Sequence, residues 1–287
     1  MIYYMRALKI FLATNNDMFH RSSLVSPMQM VQYAIELYRQ EWKMFLRIAL
    51  WFVAPLVAIH ILTSIFYFGA WNIIFFIPFG VLLYGLQLIA HIGMIVFVVN
   101  RDKRHYKTSW ELLDQTFRVI FPVLVVISLA TVFVLLMALG FILPGNIVFD
   151  MIGNASFIIR IGVMGVLWVP ALSAAVWFAF ALYALIDKPQ SPLRALMASR
   201  NVVKHRFISV VWRLIASFIL FLIPLTILLI GVLVLVGVTV GSPWVGISQG
   251  AESIWWAQVI TNSIAMGGMP LFVASFWRLY QGLQETH

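Results

Sequence analysis

The chain has 287 residues, of which 63% are hydrophobic and 10% charged, with a formal net charge of +9 and no cysteine. Soluble domains carry about 25% charged residues, so the composition excludes an ordinary soluble fold. The lack of cysteine excludes disulfides, thiolate metal sites, iron–sulfur clusters and cysteine nucleophiles. In so apolar a chain the positive balance points to the positive-inside bias and to anionic lipid, not to nucleic acid.

In chain order, the opening stretch "MIYYMRALKIFLATNN" is interrupted by Arg6 and Lys9 and is followed by no small-residue cleavage site. It reads as a short helix on the membrane surface and not as a secretory signal. Residues 1–26 are expected to form a cytoplasmic N-terminal segment, and 27–287 a single membrane domain. About 20 apolar residues suffice to cross a bilayer. Six such windows stand at 48–67, 72–99, 119–141, 157–186, 208–240 and 254–280. The longer ones must tilt, kink or extend beyond the hydrocarbon.

With the N-terminus inside, the inner segments are 1–47, 100–118, 187–213 and 278–287. They hold 18 of the 19 Lys and Arg and eight of the ten acids, which leaves +10 on the inner face and −1 on the outer. The exceptions are Arg160, Asp150 and Glu252. This is the positive-inside pattern of a multi-pass membrane protein with both termini in the cytoplasm.

Each odd-numbered span is preceded by a similar stretch: "SPMQMVQYAIELYRQEWKMFL", "KTSWELLDQTFRVIF" and "SPLRALMASRNVVKHRF". Ser26–Pro27 and Ser191–Pro192 place Pro at the first helical position, where its missing N–H costs nothing. Thr108 and Glu111 have capping-box spacing. Apolar residues follow at helical spacing: Val31, Ile35 and Tyr38; then Leu112, Thr116 and Val119; then Leu193, Leu196 and Val203. The expected fold is therefore all-α and integral to the membrane. Its six transmembrane helices form three repeats of a cytoplasmic interfacial amphipathic helix plus a transmembrane hairpin, at about 27–99, 108–186 and 191–282.

Few residues inside the spans can carry chemistry. His60 and His91 fall at different depths, offset by about 12 Å at 1.5 Å per residue, so they do not share an ion. Packed, hydrogen-bonded neutral imidazoles are expected. Arg160 can snorkel to the outer headgroups or pair with Asp150 or Glu252. Arg47, Arg118, Arg213 and Arg278 lie near the inner ends, placed to snorkel or to ring an anionic headgroup. Gln258, Thr261 and Asn262 share a face of span six, and Gln87 is polar at depth in span two. They serve either interhelical hydrogen bonding or the lining of a polar cavity. Pro55, Pro78, Pro122, Pro170, Pro224 and Pro270 give one proline per span, which predicts bent helices. Gly267, Gly268 and Pro270 are expected to unwind span six. No Walker loop, dinucleotide glycine pattern or zinc-helix motif is present. No metal or cofactor is implied.

"LYALIDKPQSPLRALMASRNVVKHRFISVVWRLI" followed by "FVASFWRLYQGL" resembles the YciC-like bacterial inner-membrane proteins. It also resembles the related membrane domain found in front of some glycerophosphodiester phosphodiesterases. The shared marks are the acidic–basic pair Asp187–Lys188, the 191–206 helix and the tail Arg278–Leu279–Tyr280. "YAIELYRQEWKMFLRIALWFVAPLVAI" is similar to the family's opening helix and span. The resemblance implies a six-span inner-membrane protein. The phosphodiesterase His-Arg-Gly and paired-acid motifs have no counterpart in this sequence.

The expected function is non-enzymatic: binding of anionic inner-leaflet lipid, or of a membrane-protein partner, as a scaffold or accessory subunit. Arg194, Arg200, Lys204 and Arg206 are the expected headgroup or partner contacts. The alternative is a permease for a lipid or amphipathic small molecule, with Gln87, Gln258 and Asn262 lining a path between kinked helices. No nucleic-acid partner is expected.

Overall fold

The computed structural model describes residues 24–65, 72–101, 108–152, 157–239 and 255–285. Among them every regular element is an α-helix: α1 (Pro27–Ile65), α2 (Asn72–Asn100), α3 (Ser109–Ile152), α4 (Phe157–Phe178), α5 (Ala181–Asp187), α6 (Pro192–Lys204), α7 (Phe207–Thr239) and α8 (Trp255–Gln284). Six helical stretches are long and apolar enough to cross a membrane, with α4 and α5 together supplying one of them. Helices suit that environment because each backbone group is paired within its own segment.

The helix starts follow from the residues at their N-termini. At α1, Ser26 N–H donates to Gln29 Oε1 at 2.9 Å and Gln29 N–H donates to Ser26 Oγ at 3.3 Å. This reciprocal capping box satisfies two donors that the first turn leaves free. At α3, Glu111 N–H donates to Thr108 Oγ1 at 3.3 Å. At α6, Ser191 is extended and its hydroxyl makes no cap bond, so Pro192 alone marks the start.

The three pre-span stretches fold differently. In the first, α1 is two helices joined across a kink at the non-helical Glu41 (φ −115°, ψ 17°), one before the span and one running into it. In the second, α3 is continuous through Thr116, Val119 and beyond. Only the third gives a separate helix, α6, divided from α7 by a turn at His205–Arg206. A pre-span helix set off from its span is thus seen in the third unit, as a separate helix, and in the first, as a helix kinked at Glu41. In the second the pre-span residues extend the membrane helix itself.

The prolines do not end their helices. Pro55, Pro78, Pro170, Pro224 and Pro270 all lie inside continuous helices. The expected unwinding at Gly267–Pro270 is not found, since α8 runs through it. A proline removes one backbone bond, and packing holds the rest. Pro270 is buried, and a Cβ on Gly268 would touch Leu225 Cδ1 at 3.6 Å.

The core gathers where α1, α2, α5 and α8 meet, with Met30, Leu37, Phe45, Ile48, Ile92, Met94, Phe180, Leu279 and Leu283 fully enclosed. The window of α3 and that of α7 are the least covered, and both expose rows of large apolar side chains, as lipid-facing helices do. At Gly93 on α2 a Cβ would stand 2.6 Å from the Trp51 ring, so the helices approach closely only because no side chain is there.

Candidate functional site: the cationic end of the bundle

Side-chain and backbone contacts bring one set of helix ends together. Arg213 on α7 donates from Nε to Val25 O at 2.8 Å and from Nη1 to Ser209 O at 3.0 Å. Val25 also sits against Gly282 near the end of α8, where a Cβ would meet Val25 Cγ2 at 2.6 Å. Arg101, just past α2, donates to Glu41 Oε1 at 3.3 Å and to Gln40 Oε1 at 2.7 Å, holding that end against the kink of α1. The Arg278 guanidinium lies 6.0 Å over Tyr33 and 3.8 Å from Glu285. The start of α1, the end of α2, the start of α7 and the end of α8 therefore share one end of the bundle, which carries most of the described Lys and Arg.

The helix α6 is mounted at this end through a break in the fourth span. The helix stops at Phe178 and resumes at Ala181, with Phe180 at φ −101°, ψ 5°. A broken backbone at this depth must find other partners. Ser199 on α6 supplies them: its Oγ accepts from Phe180 N–H at 3.2 Å and donates to Trp177 O at 2.6 Å. Gln190 Nε2 donates to Ala184 O at 3.1 Å, covering the end of α5. Beneath lies an aromatic cluster in which Phe180 stacks on Tyr280 (6.0 Å) and Tyr183 on Trp277 (6.2 Å), while Tyr183 Oη donates to Val273 O at 3.1 Å.

Mounted this way, α6 buries Ala195, Leu196, Ser199 and Val203 and turns Arg194, Arg200 and Lys204 outward. The Arg200 guanidinium rests 5.3 Å over the Trp177 ring. Arg206, in the turn before α7, is half-exposed. The sequence grouped Leu193 with Leu196 and Val203 as one apolar face. In the fold Leu193 is on the other side, 58% exposed, beside Met197 at 61%. The outward face is thus cationic and apolar at once, and it continues into α7 as the exposed Ile208 and Trp212. Beside it, an open depression of about 580 Å³ is lined by Lys188, Ala198, Asn201, Val202, Gln284 and Glu285.

The four arginines placed near the inner ends are engaged in different ways. Arg118 pairs with Asp114 at 2.8 Å, Arg213 is buried on backbone carbonyls, and Arg278 lies between Tyr33 and Glu285. Arg47 is exposed on α1. Gln87 and Asn262 are half-buried on α2 and α8, and line neither the depression nor a small groove between α1 and α8. The side chains of Gln258, His60, Arg160 and Asp150 lie outside the described ones, as do Glu252 and residues 1–23. His91 is half-buried on α2. Among the described residues no group of three His, Asp or Glu could hold a metal ion.

Sequence reasoning missed the break at Ala179–Phe180 and the role of Ser199. The signal was a polar residue on the buried stripe Ala195, Leu196, Ser199, Val203, where a small hydroxyl must have a backbone partner. Compared with family models, curated proteins and solved structures, the chain matches none.

Proposed function

We propose that this is a non-enzymatic multi-pass protein of a bacterial inner membrane that binds anionic lipid headgroups, or an anionic membrane partner, through the outward face of α6. Arg194, Arg200, Lys204 and Arg206 are the contacts, and the α6 end of the bundle is cytoplasmic. The supporting observation is that the exposed cations share their face with the exposed Leu193 and Met197, and next to them Ile208 and Trp212. A face turned only to water has no use for such residues. At a lipid–water boundary the apolar side chains enter the acyl region while the cations meet phosphate. The inward placement follows the Lys/Arg bias of the sequence. The YciC-like family belongs to the same proposal and rests on the Asp187–Lys188, 191–206 and Arg278–Leu279–Tyr280 stretches.

The test is native mass spectrometry of the chain extracted gently with its own lipid, wild type against the variant with Arg194, Arg200, Lys204 and Arg206 all changed to Gln. A cation near an anionic surface contributes about 1 kcal/mol, so the four together predict at least roughly a tenfold loss of the retained lipid or partner. Equal retention by the two proteins would overturn the assignment.

A further inference from the structure

A second feature stands apart from α6. Between α1 and α8 lies a groove of about 120 Å³. One wall is Leu46, Leu50 and Val53 on α1, and the other is Ser263, Gly267 and Pro270 on α8. Both sets follow the spacing i, i+4, i+7, so each is a single helical stripe about 10 Å long. The groove opens sideways, because Leu46 and Leu50 are each about half exposed (51% and 47%). Its lining is apolar apart from Tyr38 and Ser263, and Ser263 Oγ donates to Val259 O of its own helix at 2.7 Å. Its depth comes from Gly267, where an added Cβ would meet nothing within 4 Å.

The mouth has a different character. Lys43 lies one turn before Leu46, and Arg47 beside it; both are exposed. The Lys43 ammonium stands 5.9 Å from the Trp42 ring centroid, and Trp42 is itself half exposed. Of the acids on α1 near this mouth, Glu41 is engaged by Arg101 at 3.3 Å. Along α1 from the cationic end come the amphipathic Trp42 and the exposed Lys43, then Leu46 with the exposed Arg47 beside it, then the apolar Leu50 and Val53. A phospholipid has the same polarity, with its anionic headgroup toward the cations and its hydrocarbon chain running on along the apolar residues.

We infer that this groove seats one anionic phospholipid, with its phosphate on Lys43 and Arg47 and part of one acyl chain along Leu50 and Gly267. The site uses no residue of the α6 face and does not depend on that proposal.

The full chain in detergent, titrated with dioleoyl phosphatidylglycerol and in parallel with dioleoyl phosphatidylcholine, and read by native mass spectrometry, tests the inference. One phosphatidylglycerol should bind ahead of all others. At roughly fivefold per cation its preference over phosphatidylcholine should be at least about tenfold. Gly267→Leu fills open space, so the protein should fold as before and lose the first adduct of either lipid by about tenfold. The double change Lys43→Gln with Arg47→Gln is confined to exposed residues; it should erase the preference and leave phosphatidylcholine binding in place. The α6 variant should keep this one adduct and lose only the further anionic lipid held at α6, which separates a failure here from a failure there. Full first-adduct affinity in Gly267→Leu, or equal binding of the two lipids by wild type, would overturn the inference. A dimer lost on Gly267→Leu would give the groove to a second copy of the chain and overturn it too. Should Gly267→Leu not fold, the double variant still decides.

Discussion

The Ser199→Ala substitution removes one oxygen and leaves two buried backbone groups without it. Ser199 Oγ accepts from Phe180 N–H at 3.2 Å and donates to Trp177 O at 2.6 Å, and Ser199 is fully buried. A buried backbone group left unpaired costs about 1–3 kcal/mol. The carbonyl, with its second lone pair, sits at the low end, about 1 kcal/mol, and the N–H near the middle, about 2 kcal/mol. Together they predict a loss of about 3 kcal/mol. Ser263→Ala is the control, because Ser263 Oγ bonds only Val259 O within its own helix. Both changes gain about 0.5 kcal/mol of helix propensity, which cancels in the comparison. The pair should therefore differ by about 2–3 kcal/mol in reversible unfolding in mixed micelles. Hydrogen exchange should show the Phe180 amide opening faster in Ser199→Ala alone. If the two substitutions cost the same, or Phe180 is equally protected in both, Ser199 does not hold the break.

Arg213→Lys keeps the charge but loses the planar fork that reaches Val25 O and Ser209 O. It should cost about 1–2 kcal/mol and speed proteolysis near Leu24–Ser26, read by limited digestion in micelles. Gly93→Ala drives a Cβ to 2.6 Å from the Trp51 ring. The expected cost is about 1–3 kcal/mol by thermal unfolding, and adding Trp51→Leu should recover part of it, which a double-mutant cycle would show. Glu41→Gln removes the partly exposed pair with Arg101. Its effect should be under about 1 kcal/mol and should vanish in high salt, because exposed ion pairs are weak and screened.

The six long helices were legible because nothing competes with a continuous apolar run of spanning length. The helix starts at Ser26, Thr108 and Ser191 were legible from cap and proline chemistry, although Gln29 closes the first cap and Ser191 Oγ takes no part in the third. What periodicity could not give was the boundary between surface helix and span. In α3 the helical hydrogen bonding simply continues, because ending a helix near lipid would strand backbone groups, whereas α1 kinks at Glu41, a position no periodicity marks. The break at Phe180 was hidden for the complementary reason: its partners come from Ser199, nineteen residues on in the chain. Leu193 was misplaced because three apolar residues on a short helix fit more than one stripe, and only the packing of α6 on its neighbours chooses between them. Arg194, Arg200 and Lys204 were legible as a cationic face because their spacing keeps them off the buried stripe. The groove beside Gly267 was not, because it is formed by two stripes far apart in sequence.

The α6 face is best judged by electron spin resonance of spin-labelled phosphatidylglycerol and phosphatidylcholine around the reconstituted protein. The fraction of each label immobilised by contact gives their relative affinity. Wild type should prefer phosphatidylglycerol, the preference should shrink as salt rises, and changing Arg194, Arg200, Lys204 and Arg206 to Gln should remove most of it. An unchanged preference in that variant, at low salt, would place the anion-binding surface elsewhere on the bundle and contradict the role assigned to α6.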